Sequence, residues 1–407
     1  MDSAGPNSPP QPFRPYWSRM PRSWGWALMA SGIMVSGVIA VAMAGLISLD
    51  QLFGLRYPYI LFKRAAQPKV RKRFQRVRNP GCPMKDNFNR EIHALRISVT
   101  DRCNMRCRYC VSGDLLKLKP AESLLSLAEI ESVIRASLSL GFDAFRFTGG
   151  EPLVREGIAE LMLQVSRLPG VRKLSLSTNA SLLERFLPLL AAARVFSLNI
   201  SLDTLDAARF AQITRGSELA PSLAGIDAAA RDGRFRIKLN TVLMRGFNDD
   251  ELARLAALTI ERPLNVRFIE YMPFGNWSRG EGLENPSMSV AEALDVLRRH
   301  YAIEEAVEGP GGDGPATYVR IRGARGFVGF ISPVHAPFCE RCNRLRLTAD
   351  GQLKGCLLDD ERLQLRAWMR SPQYSFEGLV ERVALAVRSK PEKHHYARDF
   401  DMSTVGG

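Results

Sequence analysis

The sequence feature that most constrains the fold is a strand-and-helix unit that recurs six times between residues 94 and 271. Apolar and β-branched runs occupy 94–99, 143–147, 173–178, 196–201, 235–243 and 266–271, and a helical pattern follows each run. This alternation predicts a parallel sheet with right-handed crossovers. We therefore predict an α/β fold, an incomplete (βα)6 barrel of the TIM type over residues 84–280, with functional side chains at the carboxyl ends of its strands.

The alternation ends near residue 280, where the segment GNWSRGEGLENP predicts a loop. A helix at 289–300 and short strands near 317–322 and 326–331 follow, and a last amphipathic helix covers about 375–389. We interpret residues 281–365 as a C-terminal α+β domain. Residues 366–407 are interpreted as a terminal helix and a polar tail.

Positive charge is concentrated in an N-terminal extension, residues 1–83. The chain of 407 residues has a net charge of +14, and the extension contributes 12 Lys and Arg against 2 Asp. The rest of the chain holds 44 basic and 40 acidic side chains. The main body therefore has no strongly basic composition, and a nucleic-acid partner is not indicated.

An uncharged segment of 27 residues, 23–49, lies within this extension. As a helix it would cross the ~30 Å hydrocarbon layer of a bilayer, and it is longer than the apolar region of a secretory signal. Nine basic residues follow it and three precede it, which would leave the main body in the cytoplasm. The alternative is that residues 1–83 are disordered or dispensable, because Met84 is a plausible start just before the first strand.

The seven cysteines indicate metal chemistry in a reducing compartment, because six of them form two groups of three and odd-numbered groups suit disulfides poorly. The first group, Cys103, Cys107 and Cys110, has the spacing C-x3-C-x2-C after a predicted strand. A structural zinc site closes with four ligands, whereas a [4Fe–4S] cluster on three thiolates keeps one iron open. The spacing favours iron–sulfur over zinc or unpaired thiols.

Two further features accompany the first cysteine group. Tyr109 precedes its last cysteine, and Gly149-Gly150-Glu151-Pro152 follows the second predicted strand. Together these motifs resemble the radical S-adenosylmethionine (SAM) superfamily. The resemblance implies that SAM chelates the open iron, and that one electron from the cluster cleaves SAM to a 5′-deoxyadenosyl radical. The glycines would let the backbone approach the ligand, and the carboxylate would accept from its amine.

The second group, Cys339, Cys342 and Cys356, also has three thiols. A zinc site completed by Cys82 is one interpretation. A second [4Fe–4S] cluster fits better, with an open position for a donor nitrogen or oxygen of a substrate.

Cationic residues accompany the second group and the barrel strands. Arg344 and Arg346 alternate along a predicted strand and so share a face, although a solvated charged strand is the alternative. Arg96, Arg146 and Lys238 lie in or at the ends of separate strands. Cations inside a barrel are costly unless a ligand neutralises them, and guanidinium groups suit phosphate oxygens. The pattern predicts a polyanionic substrate such as a triphosphate.

The segment FCERCNRLRLTADGQLKGC and the terminal Gly406-Gly407 are similar to motifs of the GTP 3′,8-cyclase family, which begins molybdenum cofactor biosynthesis. The resemblance covers residues 84–407 and implies two [4Fe–4S] clusters, the first on Cys103, Cys107 and Cys110 and the second on Cys339, Cys342 and Cys356. The implied SAM site comprises Tyr109, Gly149, Gly150, Glu151, Ser201 and Met272. The implied GTP site comprises Arg96, Arg146, Thr178, Lys238, Arg344, Leu345 and Arg346, and Gly406 and Gly407 would be catalytic.

One position departs from the family pattern. Ala180 stands where the family usually has glycine after Thr-Asn, a departure that bears on the local turn and on the assignment of Thr178, for which Ser177 is the alternative.

The implied reaction converts GTP to (8S)-3′,8-cyclo-7,8-dihydroguanosine 5′-triphosphate. The radical takes hydrogen from C3′ of the ribose, and C3′ then bonds to C8 of guanine. The implied partners are a downstream cyclic pyranopterin monophosphate synthase and a flavodoxin- or ferredoxin-type reductant, and a homodimer is a further expectation. The alternatives are a radical SAM enzyme that modifies peptides and a non-enzymatic iron–sulfur electron carrier.

Overall fold

The structure is a computed structural model that describes residues 83–110, 118–272, 286–305, 308–311, 314–359 and 361–394. Segment 23–49, Cys82, Gly406 and Gly407 lie outside the described residues, so the predictions made for them stay predictions. Within the described ranges, no helix combines the length and the apolar character that a membrane span requires.

Six parallel strands form the centre of the molecule. A short hairpin, β1 (Met84–Lys85) and β2 (Glu91–Ile92), precedes them. The six are β3 (Ala94–Ser98), β4 (Ala144–Thr148), β5 (Lys173–Thr178), β6 (Ser197–Ser201), β7 (Arg236–Leu243) and β8 (Asn265–Glu270), and each pairs in parallel with the next. The predicted (βα)6 order is confirmed, and every predicted strand boundary lies within one residue of the observed one.

Helices cover the outer face of this sheet. They are α1 (Leu127–Ser139), α2 (Ile158–Ser166), α3 (Leu183–Ala192), α4 (Ala207–Thr214), α5 (Ala220–Asp232) and α6 (Leu252–Glu261). Alternate strand residues point to opposite faces, so Ile97, Phe147 and Leu176 are buried against helix residues such as Ile134 and Leu190. The other face of the same strands carries the polar side chains that line the lumen.

The C-terminal part extends this sheet at both edges. Its elements are α7 (Val290–His300), β9 (Ile303–Glu304), β10 (Thr317–Ile321), β11 (Phe327–Ile331), β12 (Arg344–Leu347), β13 (Gln352–Lys354), β14 (Leu363–Gln364), α8 (Leu365–Met369) and α9 (Phe376–Arg388). The strand order is β14-β13-β12-β3-β4-β5-β6-β7-β8-β11-β10-β9. Both β12 and β11 pair in parallel with the edge strands of the barrel.

This order changes the interpretation of residues 281–365. Their strands belong to the barrel sheet rather than to a sheet of their own, so the boundary near residue 281 does not separate two hydrophobic cores. Sequence patterns could not show this, because β12 pairs with a strand about 250 residues earlier in the chain.

Gly225 in α5 gives a test of this packing. A Cβ there would lie 2.2 Å from the carbonyl oxygen of Ala180, which follows β5. Gly225→Ala should therefore lower the free energy of unfolding by about 1–3 kcal/mol through overpacking, although alanine ordinarily improves a helix interior by about 0.5–1 kcal/mol.

Chemical denaturation would measure both this variant and a control, Gly314→Ala, at a position with nothing within 4 Å of the added Cβ. The control should change stability by less than about 0.5 kcal/mol. An equal or higher stability for Gly225→Ala would show that α5 does not pack against the β5 turn in this way.

Candidate active site

The residues predicted to bind SAM come from one end of the barrel. Cys103, Cys107 and Cys110 follow β3, Gly149 to Glu151 follow β4, Ser201 ends β6 and Met272 follows β8. Because parallel strands end at a common rim, these residues are brought to the carboxyl end of the barrel from four different strands.

Gly149 and Gly150 lie against the backbone that leads into the first cysteine. The Gly150 N–H donates to the carbonyl of Thr100 at 2.8 Å, and the Glu151 N–H donates to that of Arg102 at 2.9 Å. A Cβ on Gly149 would lie 2.6 Å from the Thr100 oxygen, and one on Gly150 would lie 2.4 Å from the Arg102 oxygen. Both positions therefore need glycine for internal packing, and the motif fixes the place of the cysteine loop.

The Glu151 side chain is fully buried and joins the ends of two strands. Its carboxylate accepts from the N–H of Leu153 at 3.1 Å, the hydroxyl of Thr178 at 2.8 Å and the N–H of Asn179 at 2.7 Å. Burial raises the pKa of Glu151 to about 7, against the effect of these donors. Since Oε2 accepts only the Asn179 bond among these contacts, it has capacity left for a ligand amine.

The first three thiols lie close enough to affect one another. Burial raises the pKa of Cys103 and of Cys107, and the Cys110, Asp203 and Cys103 groups raise that of Cys107 further. Among the described residues, no group of three or more His, Cys, Asp or Glu is arranged to hold a single metal ion. A [4Fe–4S] cluster makes a different demand because each thiolate binds its own iron, and this set of three thiols fits it.

A buried carboxylate holds Tyr109 at the same rim. The Tyr109 hydroxyl donates to Oδ2 of Asp203 at 2.8 Å, and the Val242 N–H donates to Oδ1 at 2.8 Å. Burial raises the pKa of Asp203 to about 6. Asp203 was not predicted as a site residue, although its place just after a predicted strand could have identified it.

The second cysteine group lies at the opposite end of the barrel. In the parallel pair of β12 and β3, Arg344 is opposite Ala94, the first residue of β3. Cys339 and Cys342 precede β12, and Cys356 follows β13, which runs antiparallel to β12 and so ends where β12 begins. The five residues of β3 thus separate the two groups by roughly 17 Å, at about 3.3 Å per residue.

Cationic side chains surround the second group. Burial opposes ionisation of Cys342, but the charges of Lys390 and Arg344 outweigh it and lower the pKa of Cys342 to about 7. The Lys390 amine donates to the Cys342 sulfur at 3.3 Å, and Nδ1 of His394 lies 3.2 Å from the Cys339 sulfur. Three thiols in a cationic setting fit a cluster held by thiolates. Nothing in the sequence pattern signalled either Lys390 or His394.

A cavity in the lumen lies beside this group. It reaches the first residues of β3, β4, β5 and β6, namely Ala94, Ala144, Lys173 and Ser197, and is therefore near the amino ends of the strands. None of the described lining residues is acidic, and six are cationic, namely Arg96, Arg146, Lys173, Lys238, Arg267 and Arg344. This charge pattern favours an anionic ligand.

Burial and neighbouring positive charge lower the pKa values of several cations in and beside the cavity. Burial lowers the pKa of Arg146 to about 9, with help from neighbouring guanidinium groups, and lowers that of Lys238 to about 7 in the same way. The pKa of Arg96 falls well below its usual value for the same reasons. Arg346, opposite Arg96 in the sheet, has its pKa lowered to about 10 by burial and by Arg344. A bound anion would relieve this repulsion.

Two residues predicted to bind GTP point elsewhere. Leu345 is fully buried in the hydrophobic core on the outer face, because it lies between two lumen-facing residues of β12. Thr178 donates its hydroxyl to Glu151, whereas Ser177, the predicted substitute, lines the cavity. The side-chain assignments of Leu345 and Thr178 are corrected accordingly, and Ser177 takes the place of Thr178.

The departure at Ala180 leaves the turn after β5 intact. Ala180 has a φ of 64°, the left-handed region in which glycine is favoured, so alanine there costs about 1–2 kcal/mol. Its N–H donates to the Thr178 hydroxyl oxygen at 3.0 Å, which helps hold the strained residue.

Arg267 and Asn343 line the cavity and were not predicted. The Arg267 guanidinium donates to the side-chain oxygens of Asn240 and Asn199. Arg267 lines the cavity from β8, and the alternation of strand residues that identified Arg96 could also have identified it. The Asn343 amide nitrogen lies 3.0 Å from Nε2 of His93, whose Nδ1 lies 2.9 Å from a carboxylate oxygen of Asp143. Because Nδ1–H of His93 donates to that carboxylate, Nε2 carries no proton and accepts a hydrogen bond from the Asn343 amide.

Family models match almost the whole described body. The radical SAM superfamily model matches residues 97–259, and the model described as Molybdenum Cofactor Synthesis C matches residues 264–396. A partial parallel barrel with three cysteines after its first long strand, together with these matches, defines a radical SAM enzyme, a class that uses a [4Fe–4S] cluster and SAM.

Curated relatives identify the family within the class of radical SAM enzymes. The chain is 44% identical over 331 residues to the GTP 3′,8-cyclase of Pelotomaculum thermopropionicum, covering 80% of this chain and 100% of that protein. It is 44% identical over 321 residues to that of Pseudomonas putida, covering 79% and 95%, and 42% identical over 317 residues to that of Listeria welshimeri, covering 77% and 92%. The chain belongs to the GTP 3′,8-cyclase family.

The lowered pKa of Lys238 predicts a pH-dependent affinity for anions. Above pH 7 the unliganded amine is increasingly neutral, and a bound anion favours its charged form, so binding must be accompanied by proton uptake. Affinity for inorganic triphosphate should fall by roughly tenfold between pH 7 and 8.5 relative to Lys238→Arg, whose side chain stays charged.

Isothermal titration calorimetry on both proteins would measure this ratio. Using the ratio removes the titration of triphosphate itself, which both proteins share. A constant ratio across this pH range would show that Lys238 is charged before the anion binds.

Proposed function

We propose that this chain is a GTP 3′,8-cyclase, converting GTP to (8S)-3′,8-cyclo-7,8-dihydroguanosine 5′-triphosphate in the first step of molybdenum cofactor biosynthesis. The observation that carries the proposal is a lumen lined by six cationic side chains between two three-cysteine groups at opposite ends of one barrel. A triphosphate can bind the cations while its nucleoside lies between the two groups.

Cys103, Cys107 and Cys110 are assigned to the first [4Fe–4S] cluster. When bound, the cluster and SAM supply a 5′-deoxyadenosyl radical that takes hydrogen from C3′ of the GTP ribose. Oε2 of Glu151 is assigned to accept from the SAM amine, and Gly149 and Gly150 pack against the backbone that leads into the loop of the three thiols.

The remaining SAM assignments rest on position at the rim. Tyr109, fixed by Asp203, would form one wall of the SAM site, and Ser201 and Met272 would line it from the ends of β6 and β8.

Cys339, Cys342 and Cys356 are assigned to a second [4Fe–4S] cluster, with one position open for the guanine base. The triphosphate is assigned to Arg96, Arg146, Lys238 and Arg344, with Arg267 added and Arg346 acting beside Arg96. Holding the base at one point and the phosphates at another would keep C3′ and C8 in contact during the reaction, which is the benefit of proximity. Asn343 faces the same space and offers an amide oxygen to the ring N–H groups of the base.

The catalytic role of Gly406 and Gly407 remains a prediction outside the described residues. Transfer of product to a cyclic pyranopterin monophosphate synthase, a flavodoxin- or ferredoxin-type reductant and a homodimer also belong to the proposal as expectations from the family.

Isotope transfer tests the proposed reaction. The full chain, reconstituted anaerobically with iron and sulfide and given SAM, dithionite and GTP deuterated at C3′, should yield 5′-deoxyadenosine that carries deuterium and a cyclised nucleotide. Mass spectrometry of both products measures this. Cys107→Ala should form neither, because the first cluster loses one of its three thiolates.

Other outcomes would redirect the assignment. Formation of 5′-deoxyadenosine without deuterium and without cyclised nucleotide would retain the radical SAM class and contradict GTP as substrate, as expected for an enzyme that modifies peptides. Deuterium transfer without a cyclised nucleotide would indicate a defect at the second cysteine group.

A second test asks whether the iron at the second group is open to GTP or closed by His394. With Cys103, Cys107 and Cys110 changed to alanine, the reduced second cluster should give an electron paramagnetic resonance spectrum that changes when GTP is added. The change should be the same in a His394→Ala background. A GTP response that appears only after removal of His394 would identify this imidazole as the fourth ligand and contradict the proposed position of the base.

A further inference from the structure

Lys390 stands directly after the C-terminal cap of α9 and is only 3% exposed. Its ammonium makes three contacts, to the sulfur of Cys342 at 3.3 Å, the carbonyl oxygen of Arg344 at 3.1 Å and the carbonyl oxygen of Gly355 at 2.5 Å. These acceptors lie on two segments of the second cysteine group. One segment begins at Cys342, and the other, at Gly355, directly precedes Cys356. The residue therefore holds together the segments that supply two of the three thiols.

A buried ammonium of this kind needs a negative partner. No carboxylate in the described part of the chain forms an ion pair with Lys390, and its contact with Arg344 is to the backbone carbonyl oxygen. Two carbonyl dipoles only partly compensate a buried charge. Among the described contacts of Lys390, the group that can supply full negative charge is the thiolate of Cys342, in particular as part of an anionic cluster.

The chain beyond Lys390 is tied to the same group. The Arg90 guanidinium, paired with Asp86, donates to the carbonyl of Cys339 at 2.8 Å and to those of Pro391 at 2.6 Å and Glu392 at 2.9 Å. Arg90 is 9% exposed and Asp86 is 7% exposed, so this is an internal clamp rather than a surface contact. It holds the start of the C-terminal segment where the Lys390 amine can reach Cys342.

We propose that Lys390 is a positioning residue for the second cluster, which donates a hydrogen bond to the Cys342 thiolate and raises the reduction potential of that cluster. The inference rests on the assignment of a [4Fe–4S] cluster to the second cysteine group. Hydrogen bonds to sulfur and nearby positive charge both stabilise the more negative, reduced state of a cluster. Lys390 thus makes the second cluster easier to reduce than it would be on three thiolates alone.

The test is a potentiometric titration followed by electron paramagnetic resonance. The full chain with Cys103, Cys107 and Cys110 changed to alanine isolates the second cluster, and Lys390→Met is compared with Lys390→Arg in that background. Loss of the charge and of the donor should lower the equilibrium constant for reduction at least tenfold, which is 59 mV for a one-electron couple. Lys390→Arg keeps the charge and the N–H donor, so its second cluster should have a reduction potential close to that of the parent.

Iron content and thermal melting of the cluster-free proteins distinguish the other outcomes. A full iron content with an unchanged potential in Lys390→Met would overturn the proposal and leave Lys390 with a purely structural role. If Lys390→Met fails to hold iron while its cluster-free form melts like the parent, the positioning role is supported. If the cluster-free form is also destabilised, the reduction potential of Lys390→Gln, which keeps an N–H donor, is measured instead. A potential of Lys390→Gln below that of the parent supports the proposal, and an unchanged one overturns it.

The same measurements separate this inference from the proposed function. A parent protein that binds no iron at the second group would refute the second cluster and, with it, the role of Lys390. A parent with an intact cluster and no response to Lys390→Met would refute only the role of Lys390.

Discussion

The parallel pairing of β12 with β3 is the contact on which the arrangement of the site depends. It returns the C-terminal part of the chain to the edge of the barrel and places Arg344 opposite Ala94. Because β12 begins at the amino end of β3, the cysteines before it lie at the end of the barrel opposite Cys103. The same pairing brings Arg346 beside Arg96 in the lumen. One strand pair thus sets both the separation of the cysteine groups and the charge between them.

Uncompensated positive charge is the second constraint. Burial and mutual repulsion lower the pKa values of Arg96, Arg146 and Lys238 in the lumen, so positive charge in the unliganded site is unfavourable. Such a cost is retained where a ligand of opposite charge relieves it. A bound polyanion would relieve this repulsion in a site whose cations already surround one cavity.

Several residues assigned to the SAM site also have a structural role. Gly149 and Gly150 are required by the close approach of the 100–103 backbone, and Glu151 joins the ends of β4 and β5 before any ligand is present. Tyr109 is fixed by Asp203 in the same way. The motif is thus partly a structural one, which explains why a substitution there would disturb the cysteine loop as well as the ligand contacts.

The sequence by itself determined the six barrel strands, the two cysteine groups, the motif after β4 and most of the cations, because these follow from local periodicity and spacing. Tertiary structure decided which of them share a site. The pairing of β12, the outward side of Leu345, the bond from Thr178 to Glu151 and the contacts of Lys390 and His394 depend on residues far apart in sequence. Strand order and side-chain direction are fixed by packing of the whole sheet, and no local pattern records that packing.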